Sequence, residues 1–171
     1  MQKLVKIIGL SAVLAVVGLT AQAQKCKFDY EKKDPLSGEV SKGTAFKINM
    51  WWKLGLNKAG DKYLITMGIV VGGDVRDVIT PENTIIFKLA NGEIITLNAK
   101  EKALPVAQIM QDKVVSSYTA VYEISEEDLR KIAASPLVYV RMGIGANRSF
   151  DSEFKEKKGA EFQSKAKCLL Q

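Results

Sequence analysis

Thr84-Ile85-Ile86-Phe87-Lys88-Leu89-Ala90-Asn91-Gly92-Glu93-Ile94-Ile95-Thr96-Leu97 is the stretch from which the fold class is read. Two runs rich in β-branched residues flank Asn91-Gly92. Both of these turn residues accept positive φ, which is what a two-residue hairpin loop requires. The stretch therefore predicts an antiparallel pair of strands. Upstream, residues 62–71 form another run dense in Ile, Val and Tyr, broken by Gly72-Gly73. Residues 44–54 alternate, with Phe46, Ile48 and Met50 against Lys47 and Asn49, and this predicts one half-buried strand followed by a loop over 55–61. A short first strand near 27–31 precedes the turn Asp34-Pro35-Leu36-Ser37-Gly38, where Pro presets φ and Gly takes up the positive region.

Downstream, residues 99–113 carry Pro105 and a short apolar patch and fit no single period. Residues 114–124 predict a strand. Ser125 then stands where an N-cap belongs, with Glu126, Glu127 and Asp128 behind it at the positive end of a helix dipole. Leu129, Ile132 and Ala133 give that helix an inner face, and Pro136 ends it. Residues 137–144 predict a last strand with Val138, Val140, Met142 and Ile144 on one face and Tyr139 and Arg141 on the other. Asp151 is the expected cap of a terminal helix carrying Phe154, Phe162, Ala166 and Leu170 at multiples of four. Gly159 inside it costs about 1 kcal/mol relative to Ala. The expected class is α+β: a mainly antiparallel β-sheet or β-sandwich with a short helix and a C-terminal helix.

The N-terminus reads as an address. Lys3 and Lys6 precede an apolar run over residues 7–19, and Ala21-Gln22-Ala23 supplies small residues for cleavage. As a helix that run rises only about 20 Å, short of the ~30 Å bilayer core, so a transmembrane anchor is the poorer reading. A lipoprotein is poorer too, because Lys25 stands directly before Cys26 where a small residue is needed. Residues 1–23 are accordingly expected to be a signal peptide, and 24–171 one β-rich globular domain, periplasmic or secreted, with no transmembrane span. Losing Lys3 and Lys6 and no acid takes the net charge from +6 to +4, ordinary for a soluble surface. Only four of the 25 basic residues are Arg and the Lys are scattered among acids, so no nucleic-acid partner is expected.

Cys26 and Cys168 are the two cysteines. An even pair in an oxidising compartment reads as a disulfide. With no His and no third Cys, a redox pair or a zinc site is remote. Closing so long a loop stabilises by about 5 kcal/mol on the chain-entropy account.

The absence of His removes the commonest general base and with it the usual triads. Asp74 and Asp77, around Gly72-Gly73, are the best candidates for a calcium site or a carboxylate pair, against the plainer reading of a solvated loop. Gly72-Gly73 fits neither a dinucleotide nor a P-loop spacing, and no cofactor is expected. Trp51-Trp52 is the other unusual feature. Adjacent strand residues point to opposite faces, so one indole is exposed for a partner or a sugar unless both faces are covered. Arg141, within an apolar strand, is a candidate for a carboxylate ligand, or else pairs with an acid of the chain itself.

Cys26 near the start, Asp34-Pro35-Leu36-Ser37-Gly38, Lys88-Leu89-Ala90-Asn91-Gly92-Glu93, the helix start at 125–129, the Arg-bearing strand at 138–142, and Cys168 together resemble small uncharacterised exported proteins of Bacteroidota bacteria. The resemblance implies an exported, disulfide-closed β-rich domain and carries no activity with it. The expected function is a non-enzymatic binding or interaction module of the cell envelope, meeting an envelope protein or glycan. The alternatives are a carboxylate-dependent hydrolase and an inhibitor of a secreted hydrolase.

Overall fold

A computed structural model describes residues 26–171; the leader expected over 1–23 lies outside them. The element order is β1 (Tyr30–Lys33), β2 (Val40–Lys47), β3 (Trp52–Ala59), β4 (Lys62–Gly72), β5 (Thr84–Leu89), β6 (Ile94–Asn98), β7 (Val106–Met110), β8 (Lys113–Ile124), α1 (Glu126–Ala134), β9 (Leu137–Ile144), β10 (Arg148–Glu153) and α2 (Glu156–Leu169). The strands form a six-stranded sheet in the order β1-β2-β3-β4-β8-β7 and a four-stranded sheet in the order β10-β9-β5-β6. Every ladder is antiparallel. The α+β class with a C-terminal helix is as the sequence predicts.

β4 shows why. Along Lys62–Gly72 buried and half-buried positions alternate without a break, so Tyr63, Ile65, Met67, Ile69 and Val71 all enter the core. β8 answers with Tyr118, Ala120, Tyr122 and Ile124. Ala99, just past β6, bridges Tyr122, and the Lys100 N–H donates to the Val121 carbonyl at 2.7 Å. This link joins the second sheet to the first. α1 starts as expected, with Ser125 Oγ accepting from the Asp128 N–H.

Four sequence expectations are corrected. The strand expected over 44–54 is two strands. Asn49 Oδ1 accepts from the N–H groups of Trp51 and Trp52 at 2.8 and 3.0 Å, an Asx turn that reverses the chain. β3 then runs through the expected loop to Ala59. The unassigned region contains β7, joined to β8 by Gln111-Asp112 at φ 48° and 59°. Asp151 caps no helix: it lies within β10 opposite Arg141, and α2 starts after Lys155 without a side-chain cap. Finally, the register of β5 on β9 shifts at Lys88/Leu89. Leu137 is fully buried there and Val138 is only half-buried, because a bulge displaces the expected alternation.

α2 closes the core with Phe162, Ala166 and Leu169. Phe46 stacks on Phe154 and meets Phe162 edge-on, with centroids 6.2 and 5.6 Å apart. Cys26 and Cys168 form the disulfide, Cα–Cα 5.4 Å, across 142 residues of sequence. Gly159 has a reason that propensity misses. A Cβ there would lie 2.2 Å from the Leu137 carbonyl oxygen, so the helix reaches β9 only because the side chain is absent.

Two outcomes follow for thermal melting. Gly159→Ala lowers the midpoint although Ala is the better helix former, because the clash costs about 1–3 kcal/mol against about 1 kcal/mol gained. Reduction of Cys26–Cys168 lowers it by roughly 10–20 °C while leaving a cooperative transition. A midpoint unchanged in either comparison contradicts the packing or the staple just described.

Candidate functional site

The Trp51-Trp52 pair splits as strand alternation demands. Trp52 is 6% exposed and belongs to the core; Trp51 is 45% exposed. Trp52 opens β3 opposite Ile69, and the Val70 N–H donates to the Trp51 carbonyl at 3.0 Å. Trp51 thus continues the ladder by one residue on the face turned away from the core. Val70 pairs with Ser117, and Ser117 with Val106. Residues opposite one another in a ladder share a face. Trp51, Val70, Ser117 and Val106 therefore make one row across four strands, about 14 Å long at ~4.8 Å per strand.

A groove of about 320 Å³ opens beside this row, lined by Trp51, Trp52, Ile69, Val70, Val71, Gly72 and Phe150. It exists because β3 begins at Trp52 while β4 continues to Gly72, so the last residues of β4 have no β3 neighbour. Met50, at the crest of the Asx turn, is 65% exposed. Apart from the two indole N–H groups, no side chain in the lining carries a hydrogen-bonding group.

The other expected site residues stand apart from this groove. Arg141 is an exposed residue of β9 directly opposite Asp151 on β10. Its Nη2 donates to Tyr139 Oη at 2.7 Å and reaches Asp151 Oδ2 at 3.4 Å. Tyr139 donates to the same carboxylate oxygen at 2.7 Å. The guanidinium also lies 5.5 Å from the Tyr139 ring centroid. The Asp151 carboxylate holds the Tyr139 hydroxyl above the usual tyrosine range. Arg141 is thus occupied by an acid of the chain itself.

Asp74 pairs with Arg76 on its own loop, Nη2 to Oδ2 3.1 Å, and Asp77 with Arg148 of β10, Nε to Oδ2 2.7 Å. Each carboxylate answers to a different guanidinium. The loop is tied to β8 by backbone and hydroxyl groups. Ser116 Oγ accepts from the Val75 N–H and donates to the Gly73 carbonyl, both at 2.8 Å, and Tyr118 Oη donates to the Asp77 carbonyl at 2.9 Å. Among the described residues no three His, Cys, Asp or Glu side chains are grouped to hold a metal ion. Nor is any described helix long and apolar enough to cross a membrane.

A polar relay that the sequence did not announce sits near the disulfide. Lys165 Nζ on α2 donates to Thr44 Oγ1 at 2.7 Å, and Thr44 donates to Asp29 Oδ2 at 3.1 Å. The same Asp29 oxygen accepts from the Ala45 N–H. These groups are scattered over residues 29, 44 and 165, so no local pattern marks them. The Ala45 N–H above all holds the Asp29 carboxyl below its ordinary value, against an opposing effect of burial that is larger than the separate contributions of Thr44 and Lys165.

Comparison with protein-family models, with curated proteins and with solved structures returns no match.

A carboxyl whose value is lower folded than unfolded stabilises the fold above the unfolded value of 3.8 and loses that contribution as pH falls through the folded one. Asp29→Asn is therefore expected to flatten the fall of the melting midpoint as pH drops below about 4. Identical acid limbs for the two proteins contradict the relay.

Proposed function

We propose that this chain is an exported, non-catalytic binding module of the cell envelope, and that it meets its partner at the Trp51 groove. The observation that carries the reading is a tryptophan nearly half exposed beside an apolar groove. Aromatic side chains standing free on a rigid sheet are favoured anchors at protein interfaces. Export rests on the charged, apolar and small-residue segments of the leader and agrees with the disulfide.

The chemistry of the lining favours an envelope protein over a glycan. Sugar recognition joins stacking with side-chain hydrogen bonds to hydroxyls, and this groove offers only the indole N–H groups. An apolar side chain from a partner protein fills such a space without leaving a polar group unpaired. No observation at Asp74 and Asp77 favours the hydrolase reading, since both carboxylates already carry a guanidinium.

Trp51→Ala tests the proposal. Binding of the purified chain to its own envelope fraction, measured by co-sedimentation, is expected to drop at least tenfold, while the melting midpoint stays close to that of the unaltered chain because Trp51 lies outside the core. Unchanged retention by the envelope overturns the reading. Competition by simple sugars with no effect of Trp51→Ala moves the site elsewhere.

A further inference from the structure

The strand at the far edge of the six-stranded sheet is built differently from the edges β1 and β10; β6 is also uncharged, but its buried positions alternate with exposed ones and its chain runs on into the Ala99–Tyr122 bridge with β8. All five residues of β7, Val106-Ala107-Gln108-Ile109-Met110, are exposed, and Ile109 is 76% so. None is charged, none is Pro, and the β7–β8 register is unbroken. Edge strands normally carry charge, Pro or a bulge that deters a further strand. β1 at the opposite edge obeys this with Glu31, Lys32 and Lys33, and β10 obeys it with Arg148, Asp151 and Glu153. β7 does not.

The free hydrogen-bonding groups of β7 can be assigned. Gln111-Asp112, with both φ positive, makes the two-residue turn in which the Met110 carbonyl accepts from the Lys113 N–H. Peptide groups alternate along an antiparallel edge. Val106, Gln108 and Met110 therefore face β8, and the N–H and C=O groups of Ala107 and Ile109 face outward.

We infer that this edge is the contact between two copies of the chain, paired antiparallel about a two-fold axis through Gln108. In that register Ala107 of each copy lies opposite Ile109 of the other, and all outward donors and acceptors of both residues are satisfied, with four hydrogen bonds in all. Centring one residue earlier, on Ala107, sets Ile109 against Pro105, which has no N–H, and leaves the Ile109 carbonyl unpaired. The chosen register also sets Val106 against Met110, an apolar cross-strand pair. It sets the Asp112 tip of each hairpin opposite Leu104 of the other copy, one diagonal step from the exposed Lys102, with Lys113 beside Asp112. Without the expected leader the chain carries +4, and an isologous contact between like-charged copies belongs where the charge is lowest. The inference does not rest on the Trp51 groove.

Four variants of the disulfide-intact full chain test it, by sedimentation over a range of concentrations and by oxidative cross-linking. The unaltered chain is expected to show a dimer that dissociates on dilution. Ile109→Lys, which places a charge at the contact without touching the core, is expected to sediment as a monomer at every concentration with an unchanged melting midpoint. Gln108→Cys is expected to form a covalent dimer under mild oxidation, since facing residues at this position are about 4.5 Å apart. Val106→Cys, which faces Met110 and not itself, is expected to form none. Trp51→Ala leaves the dimer intact, which separates this contact from the groove. A monomer at all concentrations overturns the inference, as does a dimer untouched by Ile109→Lys or equal cross-linking at 106 and 108. A monomer that instead takes up an extended peptide along β7 overturns it in favour of a foreign strand.

Discussion

Consecutive residue pairs from Tyr63↔Ile124 to Gly72↔Val115 join β4 to β8, and the rest of the architecture is attached to this ladder. On one side β4 carries the N-terminal strands, β3, β2 and β1. On the other β8 carries β7 and, through the Ala99–Tyr122 bridge, the second sheet. The register is held by burial. A slip of one residue would turn Tyr63, Ile65, Met67, Ile69 and Val71 outward and bring Lys62, Leu64, Thr66 and Gly68 in. That ladder also tolerates one imperfection. The Tyr122 hydroxyl is buried with no hydrogen-bond partner, and burial pushes its proton affinity well above the usual tyrosine range. Such an orphan costs about 1–3 kcal/mol. The ring volume opposite Ile65 and beside Ala99 evidently outweighs it.

Much of this was legible in the residues, because local and tertiary preferences agree there. The Asn91-Gly92 hairpin, the Ser125 cap with its acidic first turn, and the bounds of β9 are all set by neighbours in sequence. The disulfide was legible from compartment and count. What was not legible depends on distant partners or on atypical chemistry. Phe46, Ile48 and Met50 keep perfect alternation straight through the Asx turn at Asn49, so periodicity hides the chain reversal. The β7–β8 turn uses Gln and Asp at positive φ, where Gly or Asn is the usual signal. Asp151 looks like a helix cap and is a strand residue bonded to Tyr139. Gly159 looks like a weak point in α2 and is the spot at which the helix touches β9.

The candidate site divides in the same way. Strand alternation implied that Trp51 and Trp52 face opposite ways, but which one stays open is decided by where β3 begins relative to the end of β4. The pairing of Asp77 with Arg148 joins loop to β10 across the fold and leaves no trace in either segment. The two outer edges of the large sheet also differ in kind. The β1 edge carries three charged residues and lies next to the staple; the β7 edge is neutral and bare. Five inter-strand steps, about 24 Å, separate them.

Sulfur makes the described chain a ring with a short tail. Cys26 and Cys168 stand 5.4 Å apart at their Cα atoms, and Gln171 follows within three residues. The two ends of the described stretch therefore lie at one place, beside the end of α2. Breaking the one sulfur–sulfur bond therefore releases both of these ends together, the lead-in to β1 and the last turn of α2.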